Sequence, residues 1–202
     1  MKGITWRTGI PSLLLVAACL APAANAQMAW RERDGAGFPA PADNAATGRF
    51  DDGRLARESG SSIREVWGRA GDIIDALQVL NGPAAMPFHG GDGGSAWGFR
   101  LDQGDFLVEV RGFYGNWYGN IFVSQLTFIT ARGRVYGPFG KNNGVQDPRV
   151  IEIQATPGRQ IIAFTGSTGV AGEADGNAST FLASLGAVFA PIDWGQGGGW
   201  WK

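Results

Sequence analysis

The sequence predicts an all-β fold, and three observations carry that expectation. From Ile63 onward, short runs rich in β-branched and aromatic residues recur, each bounded by Gly, Asn, Asp or Pro. Helical periodicity over about 11 residues occurs only near the start of the chain. The third observation is composition. Gly supplies 33 of 202 residues, roughly twice the usual share of about 7%. Trp contributes 8, and the hydrophobic fraction of 44% is too high for a disordered chain. The length suits one domain with small appendages. The same figures exclude several classes. Basic and acidic residues balance at 17 against 18, which argues against a nucleic-acid partner. No Gly-X-Y period supports a collagen. One Cys and one His exclude thiolate zinc sites and His-rich metal sites, and no cofactor is expected.

Taken in chain order, residues 1–26 read as a secretory signal. Lys2 and Arg7 give a positive start, residues 10–20 a short apolar stretch, and Ala24-Asn25-Ala26 a small-residue cut before Gln27. The apolar stretch is shorter than the about 20 residues that span a bilayer, so no integral membrane span is expected. A competing cut after Val16-Ala17-Ala18 would leave Cys19 to accept a lipid; the cut at Gln27 is the cleaner match. That cut removes the single Cys, so the mature chain has no disulfide although its compartment permits one. With Lys2 and Arg7 gone, the 17 basic residues fall to 15 against 18 acidic, and no membrane-binding basic patch is left. The expected location is secreted, periplasmic or cell envelope.

Residues 27–45 form a weakly patterned lead in which Met28-Ala29-Trp30 could add a peripheral strand. The predicted strands are 63–67, 73–80, 97–101, 106–111, 121–130, 150–153, 161–165 and 181–189. Alternation sets Phe106, Val108 and Val110 on one face against Leu107, Glu109 and Arg111 on the other. Strands of this length and spacing fit a sandwich, barrel or prism. The domain is expected over 46–190, followed by a Gly- and Trp-rich tail over 191–202 whose Trp200 and Trp201 could dock on a partner.

Several pieces stand in a telling order. Ile63-Arg64-Glu65-Val66-Trp67 leads to Gly71-Asp72-Ile73-Ile74-Asp75, then His89-Gly90-Gly91-Asp92-Gly93-Gly94 and Phe99-Arg100-Leu101-Asp102. Val110-Arg111-Gly112-Phe113-Tyr114-Gly115, Leu126-Thr127-Phe128 and Tyr136-Gly137-Pro138-Phe139-Gly140 follow. This succession resembles the jacalin-related lectins over nearly all of the chain after the signal. The resemblance implies a β-prism I fold, three four-stranded Greek-key sheets about a pseudo-threefold axis, with a sugar site possible at one end of each sheet.

A sugar offers adjacent hydroxyls and no charge. A carboxylate accepts from two hydroxyls at once, backbone N–H groups donate to ring and hydroxyl oxygens, and Gly lets the facing backbone approach closely. In the family this becomes a Gly-x-x-x-Asp loop facing a Gly-Gly loop. At the family's usual site the Gly pair is missing beside Ala46-Thr47. The partner loop beginning at Gly166 carries about ten extra residues, 170–180, and puts Ala183 where the acid belongs. The insertion's Glu173, Asp175 and Asn177 are possible substitutes. The second pair is complete. By resemblance to mannose-binding members, Asp75 would accept from sugar hydroxyls, Asp72 and Ile73 would donate amides, and Gly93-Gly94 would form the opposite contact. The alternative reading of this motif is a tight turn entering a strand. A third pair, Gly112 to Asn116 facing Asn142-Asn143-Gly144, ends in an uncharged amide.

Other residues have plainer readings. His89 is expected as a loop hydrogen-bonder, and Trp67, Trp97, Trp117 and Tyr114 as core or rim packing with stacking on sugar as the alternative. The Glu173-x-Asp175-x-Asn177 spacing occurs in calcium loops but also suits a solvated insertion. Asn177-Ala178-Ser179 is a glycosylation sequon that matters only in a eukaryotic secretory pathway. Together these point to a non-catalytic carbohydrate-binding domain of mannose or glucose type, for which a homo-oligomer is one option. The alternatives are a prism scaffold with decayed sugar loops that binds protein or membrane, and a glycoside hydrolase, which needs two carboxylates across a cleft.

Overall fold

Each of the eight predicted runs forms a strand; burial alternates along runs such as 121–130, while 181–189 is buried on both faces. The structure, a computed structural model, describes residues 46–172 and 178–192. In chain order the elements are β1 (Ala46–Asp51), α1 (Gly53–Ser59), β2 (Ile63–Ala70), β3 (Ile74–Asn81), β4 (Ala84–Ala85), β5 (His89–Gly90) and β6 (Ser95–Arg100). They continue with β7 (Leu107–Trp117), β8 (Asn120–Thr130), β9 (Val135–Phe139), β10 (Gln146–Gln154), β11 (Arg159–Gly172) and β12 (Ala178–Pro191).

These strands build three antiparallel sheets, the faces of a β-prism. The first has the order β1-β11-β12, the second β4-β3-β2-β6 with β5 also on β3, and the third β10-β7-β8-β9. The third sheet's order is a Greek key, the fourth strand returning beside the first. The expectation of four strands per sheet is met only there. Among the described residues the first sheet has three strands. The second has five, because the segment after β3 doubles back on it as two two-residue strands. All three sheets send side chains into one core that includes Val66 and Leu77 from the second, Leu126 and Phe128 from the third, and Phe164 and Leu182 from the first.

Glycine and proline account for most departures from the predicted boundaries. Tyr136-Gly137-Pro138-Phe139 is not a free turn but edge strand β9, paired to β8 across a bulge. An edge needs no N–H from Pro138, whose peptide bond with Gly137 is cis. Strand β7 runs through Gly112 and Gly115 to Trp117, beyond the predicted end at 111. A side chain at Gly112 would overlap the carbonyl of Gln125, so Gly here permits close backbone approach rather than a turn. The expected loop insertion over 170–180 is, at both described ends, a continuation of the β11–β12 ribbon, with Val170 opposite Thr180 and Gly172 opposite Ala178. Helix α1 is too short to show periodicity. It ends at Gly60, in the left-handed region at φ +61°, and buries Ala56 against Ile162, Ala163, Val188 and Ala190. The leader, Cys19, the lead over 27–45, Glu173, Asp175, Asn177 and tail residues 193–202 lie outside the described residues. Among the described residues no helix is long and apolar enough to cross a membrane.

Candidate functional site

The bend between β2 and β3 closes on itself, the Gly71 N–H donating to the Ile73 carbonyl at 3.0 Å. Ile73 is buried beneath the bend, in a cluster with Phe122, Ala171, Phe181 and Ala183. That anchor leaves Asp72 exposed above it. Asp75 follows on β3, buried at 4% exposure. Its carbonyl accepts the Gly91 N–H at 3.1 Å, which draws the double-glycine segment alongside. The carboxylate then lies directly against Gly93 and Gly94. A Cβ at either glycine would overlap one of its oxygens, and Gly94 also has φ +56°. A Cβ at Gly71 would stand 3.8 Å from the Gly94 Cα. Asp72, Ile73, Asp75, Gly93 and Gly94 thus converge at one corner, and Asp72, Ile73, Asp75 and Gly94 line an open cleft of about 260 Å³.

Two features of this corner are not visible in the motif. Arg69, at the end of β2, donates from Nε to the Gly93 carbonyl at 2.6 Å and from Nη2 to the Gly94 carbonyl at 2.8 Å. One planar guanidinium therefore holds two successive peptide units, and it fixes which way their amides face. The cleft's far wall comes from other sheets, with Trp117 and Tyr118 from the β7–β8 turn and Phe181 from β12. A spacing of 24 residues between Arg69 and Gly93 carries no sequence signal.

The third loop pair is brought together in altered form. Gly112 sits inside β7, while Asn116, Asn143 and Gly144 line a second open cleft of about 390 Å³ together with Gln146. The Asn116 side-chain oxygen is engaged by the Gly119 N–H at 2.9 Å. Asn143 Nδ2 donates to Asp72 Oδ1 at 3.2 Å, which joins this cleft to the first. The usual site's acid position is Ala183, and the candidate substitutes Glu173, Asp175 and Asn177 lie outside the described residues. Gly166 and Gly169 are paired into the first sheet opposite Phe50 and Ala46, and Ala183 is buried in the Ile73 cluster.

His89 lies beside an acid. Its Nε2 lies 2.9 Å from Asp52 Oδ2, its ring stacks on Phe50 at 3.8 Å, and the pair ties β5 to the start of α1. Among the described residues no cluster of three His, Cys, Asp or Glu could hold a metal. Trp97 is half-buried and stacked on Phe139 at 3.9 Å, Tyr114 packs against the core, and Trp67 lies 46% exposed on the outer face.

Comparison with known proteins agrees with this architecture. A Jacalin-related lectin 5 of Arabidopsis thaliana is 26% identical over 144 residues, 70% of this chain and 17% of its own. An agglutinin of Castanea crenata is 31% identical over 119 residues, 54% of this chain and 37% of its own. The chain therefore spans well under half the length of these relatives. Among solved structures, wild-type Malaysian banana lectin superposes with a TM-score of 0.51 at 26% identity, covering 64% of this chain and 84% of that one. The Jacalin-like lectin domain family matches residues 46–174, and the chain belongs to that family.

Proposed function

We propose that this domain binds carbohydrate, without chemistry, at the cleft where Asp75 meets Gly93 and Gly94. One observation carries the reading. A buried carboxylate, a tight bend topped by the exposed Asp72 and a glycine corner that excludes side chains converge on a cleft open to solvent. In this reading Asp75 accepts hydrogen bonds from two neighbouring hydroxyls, the Asp72 and Ile73 amides donate to the same sugar edge, and Gly94 closes the opposite side. Mannose- and glucose-type glycans are the proposed class, since galactose preference in this family goes with a chain cleavage that nothing in the sequence announces. The two acids sit on one bend rather than across a cleft, the arrangement a hydrolase requires, so no reducing sugar should be released from polysaccharides. A single shallow site at a Kd of about 1 mM supplies only about −4 kcal/mol. Useful avidity then calls for several sites or a homo-oligomer. Secretion or export to the cell envelope is part of the proposal, supported by residues 1–26; N-terminal sequencing should find Gln27 first, and an uncut Met1 would overturn it.

A glycan array with wild type and Asp75→Ala tests the reading. Binding by wild type that the variant loses supports it. Ala183, standing where the usual site has its acid, favours a second reading, a scaffold with decayed sugar loops, and an array on which neither protein binds would support that one instead.

A further inference from the structure

The chain contains two Asn-Gly dipeptides, and the fold puts them in opposite settings. Asn81 is fully buried, its Nδ2 donating to the carbonyls of Ser61 and Ile162 at 2.8 Å each. The Gly82 N–H that follows donates to the Ser62 carbonyl at 3.2 Å. Asn143 and Gly144 instead stand exposed in the turn between β9 and β10. Among the described residues the Asn143 side chain has one hydrogen bond, from Nδ2 to Asp72 Oδ1 at 3.2 Å, and the Gly144 N–H has none to a backbone carbonyl. An asparagine followed by glycine is chemically labile, since no Cβ keeps the next backbone nitrogen away from the side-chain carbonyl carbon. Reaction needs that nitrogen free, a side chain able to turn, and water at hand. Asn143 meets these demands, and Asn81 meets none.

That turn also props the bend of the candidate site. The Lys141 N–H donates to the Gly71 carbonyl at 3.2 Å, one residue before the Asp72 that Asn143 bonds. Backbone and side chain of one loop thus hold two successive residues of the bend that supplies the amides in the Asp75 reading. An aspartate at position 143 replaces the second of these bonds with two like charges in contact. An isoaspartate there also adds a methylene to the main chain, in a turn tight enough to hold Asn142 at φ +58° and Gly144 at φ +69°. Either product pushes against the bend that the unmodified side chain holds.

We propose that Asn143 is a site of spontaneous deamidation, and that its modification weakens glycan binding at the neighbouring cleft. The Gly144 nitrogen attacks Cγ of Asn143; the amide nitrogen takes the Gly144 proton and leaves as ammonia. Water then opens the cyclic imide to aspartate or isoaspartate. The site stands by itself, while its effect on binding rests on the Asp75 reading. The test ages the full chain in mildly alkaline buffer and maps its peptides by mass spectrometry. Asn143 should gain the mass of an amide-to-acid conversion, with isoaspartate among the products, while Asn81 stays intact until urea unfolds the chain. Nuclear magnetic resonance titration with methyl α-mannoside and methyl α-glucoside reads the consequence. Affinity for the sugar that binds should fall about fivefold in the aged protein and in freshly made Asn143→Asp. Asn143→Gln, whose longer side chain closes the imide far more slowly, should keep its fresh affinity on ageing. No reaction at Asn143, equal rates at Asn143 and Asn81 in the folded protein, or affinity unchanged in Asn143→Asp would each overturn the proposal. Fresh wild type that binds neither sugar, or binding that survives Asp75→Ala, would instead sink the Asp75 assignment and with it the effect on binding; the peptide map would still decide the site.

Discussion

Arg69 shows how a single side chain sets a loop whose own residues have little to hold it. The Gly93-Gly94 backbone has no side chains to pack, and its two carbonyls are satisfied by one guanidinium. Replacing Arg69 with Met keeps the aliphatic stem and removes both donors. The partly exposed bonds should cost only about 0.5–1.5 kcal/mol of stability, measured by urea unfolding. Glycan affinity should fall by more than that stability loss predicts, because the loop amides lose their fixed direction. Affinity unchanged in Arg69→Met would show that Asp75 alone positions the loop. The Gly71 to Asp75 motif was legible in sequence because its chemistry is local. Arg69 was not, since only strand pairing brings it to the glycine corner.

At the scale of elements, the β2–β6 pairing carries two reciprocal tryptophan–glycine contacts. Trp97 lies over Gly68 and Trp67 over Gly98, each pair in direct register. The two pairs alternate faces, so one is wedged toward the core and the other faces solvent. A Cβ at Gly68 would overlap the Trp97 ring and crowd the Ala76 carbonyl, and Trp97 is already stacked on Phe139. Gly68→Ala should therefore cost about 1–3 kcal/mol. At Gly98 the nearest atoms to the new methyl belong to Trp67, which is 46% exposed and anchored at its rim by an N–H bond to Glu65 at 2.9 Å; the ring can give way more cheaply there, and Gly98→Ala should cost about 0.5 kcal/mol. Denaturant midpoints of the two variants check the difference, and equal costs would mean that Trp67 is as fixed as Trp97. Glycine is also where reading strands from sequence went astray. Gly112 and Gly115 look like turn residues, yet both lie within β7, where a neighbouring backbone passes too close for a side chain.

For the whole molecule, the question is whether three sheets are one cooperative unit. Phe128, fully buried on β8, sits 5.3 Å from Phe99 and 5.9 Å from Trp97 of the second sheet, and 6.3 Å from Phe164 of the first. Its ring joins all three faces of the prism. Phe128→Ala should cost about 3–5 kcal/mol. Far-ultraviolet circular dichroism and tryptophan fluorescence should still report a single coincident transition. Separate transitions by the two probes would mean that one sheet unfolds on its own. Asn81 supports the same unity, its buried Nδ2 donating to the carbonyls of Ser61 and Ile162 at 2.8 Å each.

The chain's residues determined that this would be an all-β protein, roughly where its strands lie, and which bend holds an acid four residues after a glycine. Those properties follow from the two-residue period of extended chain and from the local demands of tight turns. The partners of that bend were decided only by tertiary structure. Arg69 and the glycine corner meet through pairing of strands within one sheet, while Trp117, Tyr118 and Phe181 arrive from the other two. Packing three sheets against one core brings together residues that lie far apart in the sequence, and no local pattern encodes which of them will meet.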